Sequence, residues 1–276
     1  MKDIKLVATD LDGTILKNDK SISDDDLKML ELLGEKKVIR VVATGRNFKK
    51  VKEVIPDHLP FDYIAFSSGA GIYEWKNKRL VYSQNLPKKT VNGIIQFFIE
   101  KDLNFHLFHA VPDNFRCWYF RGNKSCDEFE RYFEFHNSVS ESLPVKQQID
   151  KDACQFLVIF PNEPDLFYQI KEELQSHFDD IKVVRTSSPL DTDYIWMEIF
   201  HKDVSKGNAV KYLCEQEQIH HEMTFGIGND YNDLDLLNFT FFSYLVENGP
   251  EELKACFLKA ESNENSAFSR SLKKYL

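Results

Sequence analysis

The fold of this chain is indicated first by residues 4–14, which read IKLVATDLDGT. Residues 4–9 are mostly aliphatic or β-branched, and they are followed by a polar turn that contains two aspartates and a glycine. A short apolar run bounded by turn residues is typical of a buried strand in a parallel sheet. The stretch therefore predicts an inner strand with Asp10 and Asp12 at its carboxyl end.

Strands and helices alternate along the first part of the chain. Ser23 and the aspartates that follow it are typical of a helix start, and leucines recur at helical spacing across residues 27–33. Further strands are predicted at 38–43 and 63–66, with a helix at 47–55 between them. This alternation predicts a parallel sheet with right-handed crossovers, whose functional groups lie at the carboxyl ends of the strands.

The pattern changes at about residue 87 and returns at about residue 193. In between, we predict helices at 90–101, 125–135 and 164–177, and strands at 105–109, 116–121, 156–160 and 183–186. Two helix–strand–strand halves would account for this insert. After it, we predict a helix at 205–217, a strand at 223–227, a short helix at 233–237 and a strand at 242–246.

These patterns predict an α/β fold: a Rossmann-like, doubly wound parallel sheet with an inserted α+β domain. We predict that residues 1–86 and 194–276 form the core and that residues 87–193 form the insert. A length of 276 residues is ordinary for two domains.

Composition narrows the class of function. The formal charge of -9 and the isoelectric point near 5.4 disfavour nucleic acid as the main partner, because such binding depends on clustered Lys and Arg. We find no apolar run of about eighteen residues for a membrane span and no secretion signal. The five cysteines are scattered, as expected for reduced thiols. We therefore expect a cytoplasmic protein with a small ligand.

Asp10 and Asp12 are the first candidates for chemistry. Neighbouring carboxylates repel each other unless a cation or a shared proton compensates, and Gly13 permits a sharp turn after them. The same residues also suit a simple turn after a strand. Taken alone, the pair leaves both interpretations open.

Thr44-Gly45-Arg46 follows the second predicted strand and offers a hydroxyl, an unhindered backbone N–H and a guanidinium, which together suit a phosphate group. Lys206 begins a predicted helix and could extend toward the same edge of the sheet. Taken singly, each of these residues is better explained as an exposed side chain.

Residues 226–233, which read GIGNDYND, place Asn229, Asp230, Asn232 and Asp233 within five positions after a predicted strand. Such a density of oxygen ligands suits magnesium. An Asx-rich loop that caps the next helix is the alternative.

In this order along the chain, the four segments resemble the four motifs of the haloacid dehalogenase superfamily. The spacing is similar to that of the Cof-like phosphatases, which carry a large α/β cap of class II B between the second and third motifs. The resemblance covers essentially the whole chain and includes Ser68-Gly-Ala-Gly-Ile-Tyr after the third strand.

The resemblance implies catalytic roles for Asp10, Asp12, Thr44 and Lys206. Asp10 would attack phosphorus and form an aspartyl-phosphate, and Asp12 would protonate the leaving alcohol and then activate water. Thr44 would hold the transferring phosphoryl group, and Lys206 would neutralise charge on Asp10 and the phosphate.

The resemblance also implies which residues would bind substrate or metal. Gly45, Arg46, Ser68 and Asn232 are the predicted substrate-binding residues. Mg²⁺ is the predicted cofactor, and its predicted ligands are Asp10, the Asp12 backbone carbonyl, Asn229 and Asp233.

The chain departs from the family pattern at two positions. Asn229 stands where a metal-binding carboxylate is usual, so Asp230 or Asp233 could supply the missing charge. Ser68 stands where many relatives have Asn, which bears on substrate selectivity.

We therefore predict a Mg-dependent phosphatase that acts on a small phosphorylated metabolite, with a sugar phosphate as the expected class. The alternatives are a phosphomutase, a nucleotide-sugar glycosyltransferase, and a phosphate-ligand binding or regulatory protein with weak catalysis. An interaction module that uses the aromatic residues of the insert is a further alternative. Neither the particular substrate nor the oligomeric state follows from the sequence.

Overall fold

The computed structural model describes residues 3–187 and 193–276. The chain divides into two compact units. The first contains the chain up to Ser83 together with Val204–Leu276, and the second contains Gln84–Asp203. The functional domain boundaries, with residues 1–86 and 194–276 as the core and residues 87–193 as the insert, stay a prediction.

The described residues form fourteen strands and eight α-helices. The strands are β1 (Leu6–Thr9), β2 (Ile39–Ala43), β3 (Tyr63–Phe66), β4 (Gly71–Glu74), β5 (Arg79–Ser83), β6 (Phe105–His109), β7 (Cys117–Phe120), β8 (Ser140–Ser142), β9 (Ala153–Pro161), β10 (Ile181–Ser187), β11 (Tyr194–His201), β12 (Thr224–Gly228), β13 (Phe242–Leu245) and β14 (Leu258–Lys259). The helices are α1 (Asp24–Glu35), α2 (Phe48–Val54), α3 (Lys88–Glu100), α4 (Asp127–His136), α5 (Pro164–His177), α6 (Lys206–Gln216), α7 (Leu234–Phe239) and α8 (Ala267–Leu272).

The sheet of the first unit has the order β14-β13-β12-β1-β2-β3-β4-β5. The strands from β14 to β3 pair in parallel, and β4 and β5 continue the sheet in the antiparallel sense. The predicted α/β fold with a parallel core is confirmed. The antiparallel pair β4 and β5 was not predicted. Strand β5 is largely exposed at the sheet edge, so its sequence lacks the continuous apolar run that marks the inner strands.

Strand β1 lies in the middle of this sheet, between β12 and β2. All four of its residues are buried, as expected for a strand covered on both faces. Thr9 pairs with Ile227 on one side and with Val42 on the other. The Asp10 N–H then donates to the Ile227 carbonyl at 2.9 Å. The loops after β1, β2 and β12 therefore meet at one edge of the sheet.

The second unit contains a six-stranded sheet with the order β10-β11-β9-β6-β7-β8. Its strands pair antiparallel except for β7 and β8. The predicted two helix–strand–strand halves are wrong, because the elements form three such groups, α3-β6-β7, α4-β8-β9 and α5-β10-β11. Strand β8 escaped prediction because its three residues, Ser-Glu-Ser, are polar and show no alternation.

The aromatic residues of this unit mostly belong to its core. Phe98, Phe105 and Phe156 are fully buried, with ring centroids 5.4 to 5.8 Å apart. Trp118 and Phe120 pack against the same core. This packing disfavours an interaction module built on these aromatic residues. Throughout residues 3–187 and 193–276, every helix is too short or too polar to cross a bilayer.

His106 is a buried polar residue within this unit. Its side chain is fully buried on β6, with ring centroids 4.4 Å from Phe129 and 5.0 Å from Tyr132. Neither ring nitrogen has a hydrogen-bond partner among the described residues. Burial, aided by the charges of His136 and Arg121, lowers the pKa of His106 to about 3. A neutral, unpaired imidazole in an apolar site costs stability.

We predict that His106→Leu raises the free energy of unfolding at pH 7 by about 1 kcal/mol, because it removes two unpaired polar atoms. The folded pKa lies below the unfolded value. The wild type therefore loses stability as the pH falls below about 6.5, by up to about 1.4 kcal/mol per pH unit, and the variant lacks this contribution.

Urea unfolding of both proteins between pH 7 and pH 5 measures this difference. The control is His58→Leu at an exposed position, which should leave both the stability and its pH dependence unchanged. An equally steep loss of stability in His106→Leu would contradict the assignment.

Candidate active site

A buried lysine connects two carboxylates at the edge where the inner strands end. The Lys206 ammonium donates to Asp10 Oδ1 at 2.7 Å and to Asp233 Oδ1 at 2.6 Å. Lys206 is 1% exposed, Asp10 is 5% exposed and Asp233 is fully buried. Lys206 is the first residue of α6, and the preceding Ser205 caps this helix by accepting from the Asn208 N–H at 3.0 Å. The helix start thus aims the lysine at Asp10.

The charges of this group shift one another's protonation. Burial raises the pKa of Asp10 to about 7, with a further contribution from the Asp233 charge, although Lys206 opposes the shift. Burial alone would lower the pKa of Lys206, but the two carboxylates raise it overall. One ammonium is thus shared by two anions. Any additional positive charge nearby would therefore stabilise the ionised form of Asp10.

Asp233 also holds the loop that contains it. Its Oδ2 accepts from the backbone N–H groups of Asn229 at 2.9 Å and Asp230 at 3.1 Å. A Cβ on Gly228 would lie 2.6 Å from the Asp233 side chain, so the loop requires glycine there. Both Asp233 oxygens are engaged. These contacts favour a positioning role, and its role as a metal ligand stays a prediction.

The second aspartate of the pair is held by cations. Asp12 accepts from Arg46 Nε at 2.6 Å on one oxygen, and from Arg46 Nη2 at 2.7 Å and Lys20 Nζ at 3.0 Å on the other. Burial favours a higher pKa for Asp12, but the hydrogen bonds from Arg46 and Lys20 lower it overall. Asp12 is therefore ionised, and both of its carboxylate oxygens already accept hydrogen bonds from cations. Lys20 was missed by sequence reasoning because nothing in its spacing relates it to Asp12.

The loops after β2 and β3 are joined to each other. Thr44 is buried, and its carbonyl accepts from the Ser68 N–H at 2.9 Å. A Cβ on Gly45 would lie 3.7 Å from Ser68 Oγ, so these two predicted substrate-binding residues are neighbours. Ser67, Ser68 and Gly69 have consecutive positive φ angles of 50°, 55° and 95°. Such backbone is costly for serine and is concentrated at functional sites in proteins.

Two further contacts complete the group around Asp10. Thr14 donates to Asp10 Oδ2 at 3.2 Å and was not among the predicted site residues, although it ends the first motif. Asn232 is exposed, and its amide oxygen lies 3.3 Å from the Lys206 ammonium. The structure thus joins Asp10, Lys206, Asn232 and Asp233 in one network.

Asn229 approaches both aspartates of the first motif. One terminal atom of its amide lies 3.1 Å from the Asp12 carbonyl oxygen, 3.3 Å from Asp10 Oδ2 and 3.3 Å from Thr14 Oγ. As nitrogen, this atom donates hydrogen bonds to these oxygens. As oxygen, it faces the Asp10 and Asp12 oxygens with no hydrogen between them, an arrangement that a cation would stabilise. The orientation of such an amide is decided by its partners.

The oxygens in this group fit magnesium. Ligands of Mg²⁺ lie at about 2.1 Å from the ion, so adjacent ligands lie roughly 3 Å apart, close to the spacing found here. Within the part of the chain that the structure describes, no three His, Cys, Asp or Glu side chains form a metal-binding cluster. A cation here would therefore depend on one carboxylate, a main-chain carbonyl and an amide oxygen.

Comparison with known families identifies the chain. The sequence profile of the haloacid dehalogenase-like hydrolases matches residues 7–270. The chain belongs to this family. The match spans all four segments, so the resemblance predicted from them is confirmed.

Individual relatives agree with this assignment. Phosphatase YwpJ of Bacillus subtilis strain 168 is 24% identical over 278 residues, which cover 91% of this chain and 92% of the relative. The phosphatase BT1666 from Bacteroides thetaiotaomicron superposes with a TM-score of 0.79 at 16% identity, covering 99% of this chain and 96% of that one. The subclass IIB sugar phosphatase BT4131 gives 0.72 at 15% identity, with 98% of each chain covered. This haloacid dehalogenase-like hydrolase is a phosphatase.

We predict that Asp233→Asn destabilises this hydrolase by about 1 to 3 kcal/mol, because the new NH₂ group must face either Lys206 or the two backbone N–H donors. Urea unfolding gives the stability, and phosphate release gives the activity, which should fall as Lys206 loses its second anchor. Asp113→Asn, at an exposed position, is the matched control. Wild-type stability in Asp233→Asn would show that Asp233 does not hold the loop.

Proposed function

We propose that this enzyme is a Mg-dependent phosphatase that hydrolyses a small phosphorylated metabolite through an aspartyl-phosphate on Asp10. The observation that carries the proposal is the buried pair of Asp10 and Lys206, separated by 2.7 Å. A buried nucleophile beside a fixed positive charge suits attack on an anionic substrate. Asp12 lies two residues away and supplies a second carboxylate.

The proposed reaction has two steps. A carboxylate oxygen of Asp10 forms a bond to phosphorus while the bond from phosphorus to the leaving oxygen breaks, and Asp12 gives a proton to that oxygen. Asp12 then takes a proton from water, which attacks phosphorus and releases phosphate and free Asp10. Lys206 orients the Asp10 carboxylate and offsets negative charge throughout.

The paired state of Asp12 determines how the reaction begins. Arg46 occupies both Asp12 oxygens, so Asp12 cannot exchange a proton with a leaving group until that pair opens. A guanidinium binds phosphate with the same forked geometry as a carboxylate. We propose that the substrate phosphoryl group draws Arg46 away from Asp12. The pKa of Asp12 then rises, so the freed carboxylate takes up a proton from solvent and can serve as the acid.

Further residues hold the phosphoryl group in this proposal. The Thr44 hydroxyl, the Gly45 N–H and Asn232 bind its oxygens, and Ser68 lies beside Gly45. Magnesium, held by the Asp10 carboxylate, the Asp12 carbonyl and the Asn229 amide oxygen, would supply positive charge beside the anions.

We propose a sugar phosphate as the substrate class and the cytoplasm as the location. The likeness to a sugar phosphatase of subclass IIB motivates the first proposal. Five cysteines without disulfide bonds support the second. We also propose that residues 87–193 act as a cap domain, as the family resemblance implies.

The deciding experiment measures phosphate release from a panel of sugar phosphates, with and without Mg²⁺. Asp10→Asn should lower kcat by about a thousandfold or more, because the amide cannot act as the nucleophile. Asp113→Asn should retain wild-type turnover. Transfer of phosphate between sugar positions instead of to water would indicate a mutase. Tight binding without turnover would indicate a binding protein.

A second variant tests the covalent intermediate. We predict that Asp12→Asn accumulates phosphorylated enzyme when it is given p-nitrophenyl phosphate, because this leaving group needs no proton but the second step still requires a base. Mass spectrometry after an acid quench should detect one added phosphoryl group. The double variant Asp10→Asn/Asp12→Asn should gain none. A phosphorylated double variant would place the nucleophile elsewhere.

A further inference from the structure

The Asn229 amide can satisfy the Asp10 and Asp12 oxygens without any cation. With its nitrogen toward them, it donates across 3.1 Å to the Asp12 carbonyl and across 3.3 Å to Asp10 Oδ2. We infer that this amide flips between two states. In the metal-free protein its NH₂ group takes the place of the cation, and in the Mg²⁺-bound protein its oxygen binds the cation. The inference rests on the proposed magnesium site and concerns metal binding, not turnover.

The backbone around Asn229 is fixed, so the flip is confined to the amide group of the side chain. The Asn229 N–H is held by Asp233 Oδ2 at 2.9 Å, and a Cβ on Gly249 would lie 2.9 Å from the Asn229 carbonyl oxygen. Rotation about the last side-chain bond of asparagine is broad and twofold. Exchange of the amide oxygen and nitrogen therefore needs no movement of the loop.

Gly13 leaves the space that the second amide atom occupies. A Cβ on Gly13 would lie 2.8 Å from that atom, and the Gly13 φ angle of +72° also favours glycine. Asn248 Nδ2 donates to the Gly13 carbonyl at 2.9 Å and holds this turn in place. The first motif is therefore shaped to receive an amide from the fourth.

The balance of charge favours the amide in the metal-free state. Asp10, Asp12 and Asp233 are matched by Lys206, Arg46 and Lys20 through the ion pairs of the site. An aspartate in place of Asn229 would add an unmatched negative charge, with an oxygen 3.3 Å from Asp10 Oδ2. The wild-type amide adds hydrogen bonds and no charge. The metal-free protein is thus stabilised at the expense of cation affinity.

If the amide stabilises the metal-free protein at the expense of Mg²⁺ affinity, then Asn229→Asp should lower the metal-free stability and raise the Mg²⁺ affinity. Asn229→Asp should lower the Tm of the metal-free protein by a few degrees, since it exchanges hydrogen bonds for repulsion. The same change should tighten Mg²⁺ binding about tenfold or more, because it adds a charged ligand. Asn229→Ala should lower the metal-free Tm and weaken Mg²⁺ binding together.

The experiment is thermal unfolding and calorimetric titration with MgCl₂, with EDTA-treated protein as the metal-free state. Asn265→Asp is the control, because it makes the same change at an exposed position and should match wild type in both properties. In a ¹H–¹⁵N spectrum, the Asn229 side-chain NH₂ signal is assigned by its absence in Asn229→Asp. It should be protected from exchange without Mg²⁺ and lose that protection when Mg²⁺ is added.

Equal metal-free Tm and equal Mg²⁺ affinity in wild type and Asn229→Asp would overturn the inference, as would the absence of Mg²⁺ binding in both. Binding by Asn229→Asp alone would also overturn it, because the wild-type amide oxygen would then bind no cation. A wild type that binds Mg²⁺ as expected but releases no phosphate would overturn the proposed function and leave the result on Asn229 intact.

Discussion

The structure of the site depends on one buried ammonium group between two carboxylates. A buried lysine is tolerated only when its charge is matched, and removing either partner from such an arrangement leaves an uncompensated charge. Lys206 therefore fixes Asp10 at the end of β1 and Asp233 in the loop after β12. Through Asp233, the same ammonium also holds the backbone of Asn229 and Asp230 in place. The positions of the proposed nucleophile and of the loop after β12 therefore depend on this arrangement.

The core of the fold was predictable because its inner strands are continuous apolar runs that end in polar turns. Strand β3 and helix α5 match the predicted bounds 63–66 and 164–177, and the family assignment followed from four short motifs. Prediction failed for the edge strands β5 and β8, whose burial is one-sided or absent, and also for β11, a mostly buried inner strand for which no strand was predicted. An edge strand does not need the apolar run by which an inner strand is detected.

The candidate site was predicted by residue type, but its pairing was not. Nothing in the motifs indicated that Arg46 and Lys20 would both hold Asp12, since these two residues lie 34 and 8 residues from it along the chain. The role of Asp233 was also hidden, because a carboxylate in an Asx-rich loop suits metal binding and loop closure equally. Which side chains pair with each other depends on the distances between loops in the folded protein. The spacing of the motifs along the chain does not give those distances.

The position of β1 between β2 and β12 has a consequence for folding during synthesis. One neighbour of β1 follows it within about thirty residues, but the other is made only after Thr224. Contacts of such long sequence separation form late and slow the search for the native state. The backbone N–H and C=O groups along that edge of β1 therefore stay unpaired while the intervening chain emerges from the ribosome. During that interval the protein has no nucleophile–lysine pair and an unprotected strand edge that could pair with another chain.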